Sequence, residues 1–323
     1  MLNITRRMLL ASGAGALAAP ALAQGTYPNK SVRVFVPFGA GGIADVTTRI
    51  VAERLSSRLG QQFVVVNQPG PGGSAAARAA LAGGADGYSL ALLTNGTAVS
   101  VPLIANLQFD PLKDFVPISQ LGTFDFIFAT PSGSPHRTLE ALLNDARARA
   151  GSLNIGTILF GSTQHLSATL LGSLARITFT HVPYRGSPDL VTGAMRGDVG
   201  LAIDGFAALS SGLTGGQLRP LATTGLRRTP YLADVPTVAE AGVPGYDVSS
   251  WNGLFAPTGT PSEITDLLAT RIREVVSTDD VRRRFLELGI EAAASTAAEL
   301  TARLSGDIAK WAGVIERAGI QRQ

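Results

Sequence analysis

The apolar, β-branched run Val32–Val36 passes directly into Pro37-Phe38-Gly39-Ala40-Gly41-Gly42-Ile43-Ala44-Asp45. A strand that ends in a glycine loop and then enters a helix is the opening unit of an α/β domain with parallel strands. The loop matches the G-x-G-x-x-A dinucleotide fingerprint, and by itself it points to a nicotinamide enzyme. In either case the physics is that of backbone N–H groups at a helix N-terminus presented to an anion.

Residues 1–23 argue against a cytosolic cofactor. Thr5-Arg6-Arg7-Met8-Leu9-Leu10, an Ala/Gly/Leu stretch to Ala19 and Ala21-Leu22-Ala23 read as an export signal of the twin-arginine type, cleaved after Ala23. The apolar stretch is too short and alanine-rich to span a bilayer, so the mature protein is expected in the periplasm without an anchor. An exported chain does not meet the cytosolic nicotinamide pool. Removing Arg6 and Arg7 takes the formal charge from +3 to +1. That balance offers no basic field for nucleic acid or anionic lipid. With no cysteine and three histidines (His136, His165, His181), disulfides and thiolate chemistry are excluded and a histidine-rich metal site is not expected.

Strand-like and helix-like segments alternate along the chain. After a helix over Ile43–Leu59 come a strand at 63–66, a glycine turn, an alanine-rich helix near 75–82, and strands at 89–94 and 116–121. The second half repeats the grammar. A strand at 153–158 leads into Leu159-Phe160-Gly161-Ser162-Thr163-Gln164 and a helix over 165–175, followed by a strand at 177–184. Ser187-Pro188-Asp189 then reads as a serine-capped helix start, and strands follow at 199–203 and 217–224. Thr260 to Glu263 and Thr296 to Glu299 read as capping boxes. Two extended apolar runs, 124–131 and 250–257, read as crossovers between lobes. They divide the chain into one lobe of residues 24–124 plus 249–323 and an inserted lobe of 125–248, with a cleft at the hinge.

At this point the chain resembles the Bug or TctC-like extracytoplasmic receptors of tripartite tricarboxylate transport systems. The resemblance rests on Val36-Pro37-Phe38 with Gly41-Gly42 and Asp45, on Asn67-Gln68-Pro69-Gly70 with Gly72-Gly73, and on Gly161-Ser162 with His165-Leu166. His181-Val182-Pro183-Tyr184-Arg185-Gly186 and the block from Leu232 to Glu240 extend it. It implies a two-lobed, type II periplasmic-binding-protein fold, each lobe a mostly parallel sheet flanked by helices. It also implies a small carboxylate ligand, small and large membrane subunits as partners, and a monomeric receptor that needs no cofactor or metal.

In that pattern the loops after the strands at 32–36 and 153–158 face each other and hold the carboxylate through backbone N–H groups and water. The residues expected at the ligand are Phe38, Ala40, Gly41, Gly42 and Asp45 from one loop and Gly161, Ser162 and Thr163 from the other. Asn95 after the third strand and Asp204 after the strand at 199–203 complete the set. Asp45 also fits a dipole-complementing acid at a helix start, and Asp204 an Asx-type turn residue. Arg185 fits a hinge-side ion pair, and His165 a packing or capping role.

Three function classes compete. A binding receptor explains the signal, the two lobes, the paired loops and the lack of a catalytic set. An oxidoreductase explains only the fingerprint, and Asn67 stands where the ribose-binding acid is expected. A hydrolase requires a nucleophile elbow, and no G-x-S-x-G occurs. Within the receptor class, a sensor for a signalling partner is the alternative to transport.

Overall fold

The structure is a computed structural model that describes residues 27–317 and 319–322. The expected export signal and its cleavage site lie outside the described residues. The first lobe opens with β1 (Val32–Val36), α1 (Ile43–Leu59), β2 (Phe63–Asn67), α2 (Ser74–Ala82), β3 (Ser89–Thr94) and α3 (Asn95–Leu103). The long strand β4 (Phe115–Pro131) then leads into α4 (Leu139–Ala148), β5 (Leu153–Ile158), α5 (Thr163–Ala175), β6 (Phe179–Tyr184), α6 (Ser187–Arg196), β7 (Leu201–Gly205), α7 (Phe206–Thr214) and β8 (Leu218–Thr223). The chain returns through β9 (Ser249–Pro257) and ends with α8 (Ser262–Val276), α9 (Asp279–Glu287), β10 (Glu291–Ala292) and α10 (Ala297–Arg317).

Each lobe carries three parallel strands, β2-β1-β3 in one and β6-β5-β7 in the other. The parallel character expected of the lobes belongs to these strands. The remaining pairings, β3 with β9 and β4 with β7, β8, β9 and β10, are antiparallel. The reason is topological, since a strand that carries the chain out of a lobe and one that brings it back must run in opposite directions.

One strand belongs to both sheets. On β4, Asp125 pairs with Ser249 of β9, while the next residue, Phe126, pairs with Gly205 of β7. The segments read separately as a strand at 116–121 and a crossover at 124–131 are therefore one strand, and the lobes join between Asp125 and Phe126. The run at 250–257 is the strand β9, which brings the chain back and is seated between β3 and β4.

Burial follows from this architecture. Helices cover both faces of the sheets, so β3 and β7 are buried at every position and their sequences read as near-continuous apolar runs. Leu90 and Leu92 of β3 are fully enclosed, each worth about 1.5–3 kcal/mol of transfer free energy. α10 locks onto the first lobe through two buried tryptophans. The Trp311 indole N–H donates to Asn95 Oδ1 at 2.6 Å, and that of Trp251 donates to Asp307 on α10 at 2.7 Å. Among the described residues, no helix is long and apolar enough to cross a membrane.

Two expected caps differ. Ser187 is the first residue of α6, after Gly186 as N-cap, and α8 starts after Pro261 without a side-chain cap. In both places the residue before the helix already has the extended backbone a cap requires, and the hydroxyl is used elsewhere. Thr260 Oγ1 donates to the Pro257 carbonyl, while Ser187 turns toward the cleft. The Thr296–Glu299 box forms as read, with Glu299 N–H on Thr296 Oγ1 and Thr296 N–H on Glu299 Oε2.

Candidate functional site: a cleft between helix N-termini

The loop from β1 to α1 turns at Gly41, whose φ of +84° favours glycine. Gly42 is the N-cap of α1 and brings no side chain to cap it, so the first N–H groups of a 17-residue helix find no acceptor within the helix. The loop is braced from below by Asp45, whose Oδ2 accepts the Gly41 N–H at 3.0 Å while Oδ1 accepts from Arg49 Nε and Asn67 Nδ2, each at 2.9 Å. Asn67 Nδ2 also donates to the Phe38 carbonyl at 3.0 Å. Burial pushes the Asp45 carboxyl upward, but the bonds from Arg49, Gly41 and Asn67 outweigh it and hold the pKa below the usual range. Asp45 and Asn67 therefore act as loop scaffolding.

The opposing loop turns at Gly161, φ +79°, and starts α5 at the N-cap Ser162. The Ser162 hydroxyl accepts the His165 N–H at 3.2 Å and donates to the Ile158 carbonyl at 3.1 Å, so it is committed to the helix start. Two further helices of this lobe, α6 and α7, begin at the glycines Gly186 and Gly205 without side-chain caps. The lobes meet here. A Cβ on Gly42 would stand 3.2 Å from Ser187 Oγ, and one on Gly205 would stand 3.0 Å from Ile43 Cδ1.

Between them lies a narrow cavity of about 30 Å³. Phe38, Ile43, Phe124, Phe126 and Ile158 form its apolar wall, and Thr163, Gln164, Arg185, Ser187, Asp204 and Asn252 supply polar groups. Uncapped helix N-termini and Arg185 give this space a positive bias that suits an anion with an apolar body.

Of the residues expected from sequence, Phe38, Gly42, Thr163 and Asp204 line the cavity. Ala40, Gly41 and Gly161 form the turns behind it, and Asp45, Ser162 and Asn95 spend their polar groups on the framework. Asn95 donates to the Ser249 carbonyl at 2.7 Å as well as accepting from Trp311. Sequence reading missed Phe124 and Phe126 on β4, Ser250 and Asn252 on β9, and Gln164 and Ser187. The two crossover runs were the available signal, because a hinge strand must pass the floor of the cleft.

Two cavity residues carry buried polar atoms without a partner. Asn252, 1% exposed, has neither its amide nitrogen nor its oxygen bonded. Asp204 is fully buried; Oδ1 accepts from Gln164 Nε2 at 3.1 Å and the Gly205 N–H at 2.8 Å, while Oδ2 has no hydrogen bond. Burial drives the Asp204 carboxyl upward in pKa, offset in part by the nearby Ser187 hydroxyl, Gly205 and Gln164. Behind the loop, His165 stacks between Phe160 and His181 at centroid distances of 4.4 and 4.5 Å. Burial and the neighbouring His181 push His165 down to about 3, so it is a neutral packing element.

Comparison with known proteins agrees with this architecture. The family model described as Tripartite tricarboxylate transporter family receptor matches residues 47–320. Protein BugT of Bordetella pertussis is 31% identical, covering 98% of this chain and 99% of its own. Among solved structures, Rpa4515 of R. palustris with adipate superposes with a TM-score of 0.88 at 34% identity, over 91% of this chain and 99% of that one. MatC of Rhodopseudomonas palustris with bound malate gives 0.84 at 29% identity, over 90% and 100%. The resemblance read from the sequence motifs is thus matched along nearly the whole described chain, and the protein belongs to the receptor family of tripartite tricarboxylate transporters.

Proposed function

We propose that this chain is a periplasmic solute receptor that closes its two lobes on a small carboxylate and delivers it to the small and large membrane subunits of a tripartite carrier. The observation that carries the reading is the meeting of α1 and α6 across the cavity, each starting at a glycine with no side-chain cap. Their free N–H groups and dipoles stabilise an anion, and the apolar wall accommodates its carbon chain. Adipate in one solved relative and malate in another support the same ligand class.

In this reading residues 24–124 with 249–323 form one lobe and 125–248 the other. Phe38, Gly42, Thr163 and Asp204 touch the ligand, while Ala40, Gly41, Asp45, Asn95, Gly161 and Ser162 hold the backbone donors in place. The receptor is a monomer without catalytic turnover, cofactor or metal, and its leader is removed after Ala23.

A thermal-shift screen of the protein starting at Gln24 against di- and tricarboxylates, aromatic acids and acidic amino acids tests the proposal. An acid present at 100 times its Kd stabilises by about 2.7 kcal/mol. Stabilisation by NAD or by a neutral sugar, with none by any acid, overturns it. Uptake of the identified acid that persists after loss of either membrane subunit would instead assign the receptor to sensing.

A further inference from the structure

A carboxylate ligand and a buried aspartate in one small cavity repel each other if both are ionised, and the surroundings of Asp204 resolve the conflict. The side chain is fully buried. Its neighbours carry no positive charge: Gln164 reaches it from α5, Ser187 stands beside it on α6, the Gly205 N–H caps it from its own strand, and Ile127 is its partner on β4. Arg185 is the other ionisable side chain among those lining the cavity, and it makes no salt bridge to Asp204.

The two oxygens are not equivalent. Oδ1 receives two N–H donors, as a carbonyl oxygen does, whereas Oδ2 makes no hydrogen bond; the Ser187 hydroxyl stands near the carboxyl without bonding this oxygen, and the residue lines the cavity. An unpaired buried carboxylate is strongly disfavoured and takes up a proton. The vacant oxygen is the place for it.

From this geometry we infer that Asp204 is a neutral carboxylic acid whose Oδ2–H donates a hydrogen bond to a carboxylate of the bound solute. The inference rests on the carboxylate-receptor reading above and adds to it a specificity device. A ligand acceptor is rewarded at this wall, whereas a ligand ammonium meets an O–H donor in place of a carboxylate charge. Burial also raises the pKa of the group, in keeping with the neutral form. An apolar site that keeps an acid protonated so that it donates to an oxyanion is known chemistry.

The test uses adipate and malate as probes on the wild type, Asp204→Asn and Asp204→Ala. Asparagine keeps an acceptor at Oδ1 and places an N–H donor at Oδ2, so Asp204→Asn holds its affinity within about threefold of wild type at pH 7, while Asp204→Ala loses about tenfold or more. Infrared difference spectra of wild type minus Asp204→Asn show a protonated-acid carbonyl band at neutral pH that shifts on adding the bound probe. A wild type that binds neither probe and is stabilised by no other acid of the thermal screen overturns the carboxylate reading itself. Binding by the wild type with loss of more than about tenfold in a folded Asp204→Asn, or the absence of the protonated-acid band, overturns the role of Asp204 alone. The spectrum of the wild type is informative even where a variant folds poorly.

Discussion

Gly42 at the start of α1 and Ser187 in the first turn of α6 lie so close across the cleft that a Cβ on the glycine would stand 3.2 Å from Ser187 Oγ. The contact sets the gap between two uncapped helix N-termini. Gly42 has φ −84°, so a larger side chain is not strained by the backbone and acts by bulk between the lobes. Gly42→Val is expected to leave the melting temperature of the free protein nearly unchanged. It should weaken carboxylate binding by about tenfold or more, roughly 1.4 kcal/mol, measured by calorimetry.

Asn252 leads to an effect of opposite sign on stability and binding. Its amide is buried with no partner, a cost of about 1–3 kcal/mol to the fold. Asn252→Leu, which keeps the branching at Cγ and removes both polar atoms, is expected to raise the stability of the free protein by about 1–2 kcal/mol and to reduce carboxylate affinity. Denaturant melts and titration of the same preparation read both quantities. A variant that binds as well as wild type would remove Asn252 from the ligand site.

The hinge should respond to pH. At the residue where β4 passes between lobes, Asp125 is pushed up to about 7, first by burial and then by Asp247 and Glu291, with Arg227 opposing. A raised acid favours the fold below its unfolded value of 3.8, and that contribution is lost as pH rises through about 7. Asp125→Asn is therefore expected to match wild type near pH 4 and to exceed it above pH 7, by up to about 4 kcal/mol. Thermal melts across that range check the sign, and a wild type that gains stability relative to the variant as pH rises would contradict it.

Ser162 separates framework from contact. Read from sequence it is a ligand donor, whereas in the fold its hydroxyl bonds the His165 N–H and the Ile158 carbonyl. Ser162→Ala is expected to cost about 1 kcal/mol of stability as a lost N-cap and to leave affinity within about threefold. A large loss of affinity at unchanged stability would return the hydroxyl to the ligand.

The glycine loops, the parallel strands and the repeated strand–loop–helix order were legible because apolar periodicity and glycine at a helix start are local signals. The hinge was less so. Gly122 looks like an interruption between two segments, yet it lies inside β4 because β10 comes so close that a Cβ there would stand 2.7 Å from Ile290 Cγ2 and 2.9 Å from the Glu291 carbonyl. α3 was hidden by Asn95-Gly96 at its start and Pro102 within it, and is held instead by the reciprocal Thr94–Thr97 cap. Asn95 read as a free amide because its partner, Trp311, is 216 residues away. Asp204 and Asn252 could be placed at the cleft only once β7 and β9 were seen flanking the crossing of β4. Local propensity carries no information about such distant pairings.

The central claim is that a carboxylate is held between the β1–α1 loop and the starts of α5 and α6. The most direct measurement is a crystal structure of the protein from Gln24 onward with the acid that stabilises it most in the thermal screen. The account predicts density for the acid bordered by Phe38, Gly42, Thr163 and Asp204, with a carboxylate on the free N–H groups of α1 or α6. An acid bound outside this cavity, with the space between Gly42 and Ser187 occupied by water alone, would contradict it.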